Sequence, residues 1–145
     1  MEKHWTVHAT EKLYRGFFKL VRYRFSHSLF AGGRSAEIDR EVLLRGPAAA
    51  VLIWDPALDK FLLVEQIRPG AFDQLNGPWL TEIVAGMVEA GEEPECVVRR
   101  EALEEANVQL GDVVPMLQYM PSPGGSDERL FLFLGRADLK AAGGL

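Results

Sequence analysis

The segment 86–108, GMVEAGEEPECVVRREALEEANV, gathers the charged groups of this chain that could do chemistry together. Glu92 follows Gly86, Arg100 and Glu101 stand side by side, and Glu104 and Glu105 come next on the same stretch. Pro94 suits a first helical position, where its missing N–H would have had no partner. Glu92, Glu93 and Glu95 put negative charge at a helix start, and Asn107 suits a left-handed residue just past a last turn. The sequence therefore predicts a helix over about 94–106. On that helix Glu101, Glu104 and Glu105 fall within an arc of about 100°. Like charges at this spacing repel, and Glu104 and Glu105 lie at the end of the helix that disfavours anions. A solvated acidic face could tolerate the conflict, but a bound cation removes it, and conflicts between local rules gather where sites are built. Carboxylate oxygens suit Mg²⁺, with Mn²⁺ as the alternative, and the phosphates of a substrate would complete the coordination.

The elements that must position this helix are mostly strands. Residues 13–27, LYRGFFKLVRYRFSH, alternate in part and read as a strand, with Val21, Tyr23 and Phe25 on one side and Arg22, Arg24 and Ser26 on the other. After a turn at Ala31-Gly32-Gly33, residues 34–45 read as a return strand, with a helix as the alternative. AAAVLIW (48–54) is a buried strand, DPALDK (55–60) a turn, and FLLVEQI (61–67) the second arm of a hairpin. Residues 69–79 are loop. TEIVAG (81–86) is a short strand leading into the charged segment. Two more strands, 113–120 and 129–135, flank the loop PSPGGSDE (121–128). One helix with strands on either side predicts an α+β fold, a mixed α/β sandwich. A boundary near Gly46-Pro47 separates a β extension (1–45) from the main body (46–145). The first 45 residues cannot bury both strand faces alone, which predicts a partner subunit in a homodimer.

Composition narrows the functional classes. The chain has 145 residues, 48% of them apolar, enough for a core, and carries no apolar run of membrane-spanning length. The polar opening MEKHWTVHATEK is not a signal peptide. The single cysteine, Cys96, excludes a disulfide framework and fits a reducing cytosol; on the helix it is expected as a packed small residue rather than a nucleophile. A net charge of −5 weighs against nucleic-acid binding. His4, His8 and His27 are all N-terminal and are expected to be surface or structural residues.

The segment resembles the Nudix box: Gly, five residues, Glu, seven residues, Arg-Glu, an apolar residue, any residue, Glu-Glu, any residue, Gly, an apolar residue. Gly86, Glu92, Arg100, Glu101, Glu104 and Glu105 match, and Ala102 and Val108 fill the apolar places. Asn107 replaces the last glycine, and Asn is among the residues that best accept positive φ. The resemblance implies the Nudix fold, an α/β/α sandwich with a mixed sheet, here preceded by an N-terminal antiparallel extension. It implies metal-dependent cleavage of a diphosphate joined to another moiety. Glu101 and Glu105 would be the main metal ligands, helped by Glu104 and the main-chain carbonyl of Ala85, and Arg100 would hold Glu92 and brace the loop before the helix.

Beyond the box, LYRGFF (13–18), REVLLRG (40–46), VEQIRPGAFD (64–73), PWLTEIVAGMVEAGE (78–92) and SPGGSDE (122–128) resemble the ADP-ribose pyrophosphatase branch of that family, in its bacterial dimeric form. Pro123, fifteen residues past Val108, is at a spacing typical of the branch. The substrate implied is a small nucleoside diphosphate, ADP-ribose, cut to AMP and ribose 5-phosphate. Phe17 would stack on adenine or pack in the core. Arg40 would contact the base and Arg68 grip the diphosphate with its planar fork, each with a surface ion pair as the alternative. Gly124 would let backbone approach the ligand, and Glu128 would lie near the terminal ribose, reaching across a dimer whose N-terminal strands exchange.

The branch places its catalytic base on a loop after the last matched strands. No residue of this sequence takes that role, and the base is expected beyond Leu145, in a part cut away or ordered only when substrate binds. Two other readings stand beside the first: a Nudix hydrolase for another nucleotide sugar such as GDP-mannose, and a module that binds ADP-ribose without cutting it.

Overall fold

The structure is a computed structural model and describes residues 2–143. It divides into two compact units. One runs up to Gly46 and takes in Met120–Glu128; the other comprises Pro47–Tyr119 and the residues from Arg129 onward. The first unit's leading segment ends at Gly46 and the second unit begins at Pro47. The loop 120–128, which the sequence reading gave to the main body, packs instead with the first unit. The Leu43 amide donates to the Gly125 carbonyl (2.8 Å) and Asp127 N–H to Leu43 O (3.1 Å). The Asp127 carboxylate also accepts the Arg45 and Gly46 amides at 2.8 and 3.1 Å.

The first unit is built on an antiparallel sheet in the order β1 (Trp5–Arg15), β2 (Lys19–His27), β3 (Ile38–Leu44). The expected single strand over 13–27 is thus two. The chain reverses at Gly16-Phe17-Phe18, where the Gly16 amide donates to Phe18 O (2.9 Å). β1 begins at Trp5, in the stretch read as a polar lead-in. Its opening WTVHAT alternates apolar and polar residues, a local strand signal, and pairing with β2 completes it. Residues 38–44 are strand, which removes the helical alternative.

In the second unit β4 (Ala48–Asp55) is central. It pairs in parallel with β10 (Leu130–Arg136), which pairs antiparallel with β9 (Val113–Tyr119). On its other side β4 pairs with β5 (Lys60–Leu62) through residues 53–55 and with β8 (Val84–Met87) through residues 48–51. The expected arm over 61–67 breaks at Leu63. β5 stays in the mixed sheet, while β6 (Val64–Ile67) joins β7 (Trp79–Glu82) in a separate antiparallel pair. The stretch 81–86 divides likewise at Ile83, between β7 and β8. A chain that changes sheets without a turn residue leaves no local signal.

The mixed α+β architecture expected from the sequence is present, with one α-helix, α1 (Pro94–Ala106), among the described residues. Its caps follow from local chemistry. Pro94 stands in the first turn, and Asn107 ends the helix at φ 53°, ψ 40°. Asn107 N–H donates to Leu103 O (3.1 Å) and Val108 N–H to Ala102 O (3.0 Å), so the left-handed residue turns the chain back to satisfy the last carbonyls. Val97, Val98, Ala102 and Ala106 are buried against Ala49, Val51 and Ile53 of β4, Val84 of β8 and Phe133 of β10. Cys96 is exposed rather than packed, because the buried stripe starts at the next residue.

One buried carboxylate closes the β4–β5 hairpin. Asp55, 2% exposed, accepts N–H groups from Leu139 (2.9 Å), Ala57 (2.8 Å) and Leu58 (3.1 Å). The Leu139 amide foremost, with those of Leu58 and Ala57, holds the carboxyl below its ordinary range against the opposing effect of burial. A depressed folded-state pKa adds stability that is complete above the unfolded-state value and disappears as pH falls through the folded one. Asp55→Asn is therefore expected to lower the unfolding midpoint at pH 7 and to narrow its gap to the parent in acid. Thermal unfolding of both proteins from pH 7 down to pH 3 measures this; equal midpoints at pH 7 would refute it.

Candidate functional site

The sequence-predicted residues sort between the two units. In the second unit α1 lies over β8, and its C-terminal half carries the carboxylates. Glu105 is half-buried, and its Oε2 is buried without a hydrogen-bond partner. Burial pushes its carboxyl up, the neighbouring Glu101 charge adds to this, and Glu82 adds further; the Ala85 amide and Arg68 act in the opposite sense. Glu101 has a side chain 15% exposed, and its Oε1 accepts a hydrogen bond from Arg100 Nη1 at 2.8 Å. Glu104 is exposed, 3.7 Å from the same guanidinium nitrogen. Arg100 Nη2 lies 3.7 Å from Glu92 Oε1, and Glu92 Oε2 accepts the Glu89 amide at 2.9 Å. The arginine thus touches both the acidic face and the loop before the helix.

Gly86 has a specific packing reason. A methyl group there would collide with Cγ, Cδ and Oε1 of Glu101. The bare backbone of β8 is what admits that carboxylate. Ala85, one residue back, is placed by register. Val88 N–H donates to Pro47 O (3.0 Å), so alternate pairing bonds Gly86 and Val84 to β4. Ala85 is then the non-bonded partner of Ala50, and its amide and carbonyl leave on the edge away from β4.

Among the described residues no three acidic, histidine or cysteine side chains converge on one point, since Glu101 is turned to Arg100. The donor set still fits a hard divalent cation. An orphaned buried carboxylate oxygen, a second carboxylate one turn away and an unpaired strand edge are what such an ion takes.

Arg68 follows β6, and its fork is engaged. Nε lies 3.0 Å and Nη2 2.6 Å from Glu82 Oε2. Glu82 was not singled out in the sequence. Its signal is the period of two: Val64, Gln66 and Arg68 face Glu82, Leu80 and Pro78 across the β6–β7 ladder, but which strands pair across the expected loop is not written in either strand alone.

In the first unit Arg40, Pro123 and Gly124 share a groove of about 410 Å³ with Val7, Tyr23, Phe25 and Val42. Phe17 is 85% exposed and meets Phe18 edge-on at 4.8 Å. Phe17 is thus not a core residue, and it lies outside the lining of that groove. Glu128 is also outside it, ion-paired to Arg45 Nη2 at 3.3 Å within the same unit. Arg45, which sequence reasoning passed over, stands 5.6 Å over the Phe18 ring.

A mixed sheet beneath one helix, with Glu101 of that helix packed against a glycine on the neighbouring strand, fits a NUDIX domain, and the model of that family matches residues 44–143. The chain belongs to the NUDIX domain family, whose members generally need a divalent metal. It is 49% identical over 137 residues to the ADP-ribose pyrophosphatase of Escherichia coli K12, covering 94% of this chain and 66% of that protein. To the ADP-ribose pyrophosphatase of Haemophilus influenzae it is 47% identical over 138 residues, covering 93% and 64%. To the GDP-mannose pyrophosphatase of Yersinia pestis it is 33% identical over 124 residues, covering 85% and 62%. The chain thus spans just under two thirds of the length of the curated relatives it matches. No helix among the described residues is long and apolar enough to cross a membrane.

Proposed function

We propose that this chain hydrolyses the diphosphate of ADP-ribose, releasing AMP and ribose 5-phosphate, with Mg²⁺ or Mn²⁺ held by Glu101 and Glu105, assisted by Glu104 and the Ala85 carbonyl. The observation that carries the chemistry is the partnerless buried oxygen of Glu105 beside Glu101. What supports the substrate is the 49% identity to a protein named for ADP-ribose, against 33% to one named for GDP-mannose.

A divalent ion bound there supplies charge neutralisation for the diphosphate and lowers the pKa of water. The rest of the work falls to the chain. Arg68 offers guanidinium N–H groups to phosphate oxygens. Arg100 braces the loop through Glu92 and holds Glu101 against Gly86. Arg40, Pro123 and Gly124 form a groove in the first unit for part of the nucleotide, with Phe17 and Glu128 as further contacts. The base is not assigned to any of the described residues.

A homodimer is part of the same reading, supported by Trp5, Tyr14, Phe17 and Phe30, which are 63–88% exposed in the first unit. So is a cytosolic location, where the exposed Cys96 thiol would stay reduced.

The test is a panel of ADP-ribose and GDP-mannose with Mg²⁺ or Mn²⁺, the products separated by chromatography. Release of AMP and ribose 5-phosphate, faster than any cleavage of GDP-mannose, is expected. Faster cleavage of GDP-mannose would move the chain to that substrate, and tight ADP-ribose binding with no AMP would make it a binding module.

A further inference from the structure

We infer that Glu82 is a positioning residue for the diphosphate, acting by clamping Arg68 in one orientation. The inference rests on the proposed substrate class. It starts from the β6–β7 ladder. Val64 and Gln66 lie on one face of β6 and Arg68 continues it just past the strand; all three are half-buried while Glu65 and Ile67 between them are exposed. Across the ladder Val64 pairs with Glu82 and Gln66 with Leu80, and the Arg68 amide donates to Pro78 O at 2.8 Å. Arg68 and Glu82 therefore stand at opposite ends of the pair on a shared face.

Their side chains run toward each other along that face. Arg68 reaches back over Gln66, and Gln66 Nε2 itself donates to Glu82 Oε2 at 3.3 Å. The contact is side-on. Glu82 takes Nε and Nη2 of the guanidinium, with Nε 3.2 and 3.0 Å from its two oxygens and Nη2 2.6 Å from the second. A fork gripped on that edge cannot rotate about its last bonds, and its Nη1 edge is left without a hydrogen-bond partner among the described residues.

The placement is costly in itself. Glu82 brings a further carboxylate near Glu105, which already feels the charge of Glu101. If the aim were only to neutralise Glu105, Arg68 alone would serve better. A carboxylate that occupies one edge of the arginine and leaves the other free instead pre-orients the cation's remaining N–H groups for the oxygens of a phosphate. Fixing the fork before the ligand arrives removes rotamer entropy from the binding step. Glu82 touches no reacting atom; it acts through Arg68.

The test compares this chain with Glu82→Gln, Arg68→Ala and the double variant. Steady-state kinetics with ADP-ribose and Mg²⁺ give KM and kcat. Titration with inorganic pyrophosphate by calorimetry gives binding without turnover, and thermal unfolding reports stability. Glu82→Gln is expected to raise KM and the pyrophosphate Kd on the order of tenfold with little change in kcat. In the Arg68→Ala background it should add nothing, because the clamp then holds nothing. Normal KM and Kd in Glu82→Gln, or an equal effect in both backgrounds, overturns the inference, and a lowered unfolding midpoint alone marks a merely structural ion pair. If the parent does not cut ADP-ribose but Glu82→Gln and Arg68→Ala weaken pyrophosphate binding non-additively, the clamp stands and the substrate reading falls. If the parent cuts ADP-ribose and the variant matches it in every measure, the reverse holds. A parent that neither cuts ADP-ribose nor binds pyrophosphate refutes both.

Discussion

Glu101→Gln and Glu105→Gln are each expected to lower turnover of ADP-ribose by at least about two orders of magnitude, while the unfolding midpoint stays level or rises. The activity estimate follows from the chemistry of the donors. Losing residues that merely orient metal ligands costs tenfold to a hundredfold as an order of magnitude, and a ligand oxygen contributes more directly. The stability direction follows from the geometry. Glu105 is half-buried with Oε2 unpartnered, and burial followed by the Glu101 charge pushes its carboxyl up. A group whose charged form is disfavoured in the fold costs stability at neutral pH, and that cost vanishes when the side chain is made a neutral isostere. The two substitutions are not equivalent. Glu101 also accepts the Arg100 guanidinium at 2.8 Å, so its replacement loses an ion pair that offsets part of the relief. Glu105→Gln should therefore gain more in thermal stability. The measurements are kcat with ADP-ribose and Mg²⁺ and unfolding midpoints in metal-free buffer at pH 7. Full activity in either variant would remove that residue from the metal site, and a drop of the midpoint in Glu105→Gln would show that its carboxylate is satisfied by something else.

Gly86→Ala should fold and yet lose activity on the order of 10²-fold. The backbone at Gly86 needs no special conformation: the glycines at positive φ are Gly32, Gly33, Gly46, Gly77 and Gly91. Alanine is acceptable in β8 on conformational grounds, and the atoms it would strike all belong to the end of one flexible side chain, Glu101. The collision is resolved by moving that carboxylate and nothing else, so the stability cost is small. The functional cost is large because displacement of a catalytic group by about 1 Å is enough to lose such a factor. Circular dichroism and thermal unfolding check the fold, and kcat/KM with ADP-ribose checks the site. An active Gly86→Ala enzyme would mean that Glu101 has room to spare. A misfolded one would mean that β8 packs more tightly against α1 than the contact with Glu101 indicates.

The local chemistry of this chain was readable residue by residue. Helix α1 was expected over 94–106 and spans Pro94–Ala106, because its ends are set by a proline and a left-handed asparagine, both short-range effects. The adjacency of Glu101 and Glu105 is a consequence of helical period alone. AAAVLIW reads as a buried strand, and it is the centre of the mixed sheet. Family resemblance added the expectation about Ala85, which no periodicity could reach, since a backbone carbonyl carries no sequence signature.

What tertiary structure decided are relations between distant segments. Glu82 was silent in the sequence because an acidic residue on a short strand has meaning only once Arg68 and Gln66 are brought across from it, and a loop of eleven residues, 68–78, separates the two strands. The breaks at Leu63 and Ile83 arise because one chain must supply two different sheets, a demand set by partners rather than by its own residues. Strand β1 meets its partner only across the reversal at residues 16–18, and the loop 120–128 leaves the sheet it interrupts to bond with Leu43. Even the outward edge of Ala85 depends on the register that Val88 and Pro47 impose on β8. Side-chain period and capping are properties of a few neighbouring residues and can be read in order. Register and pairing are chosen by burial over the whole unit, and that choice is made only when the chain has folded.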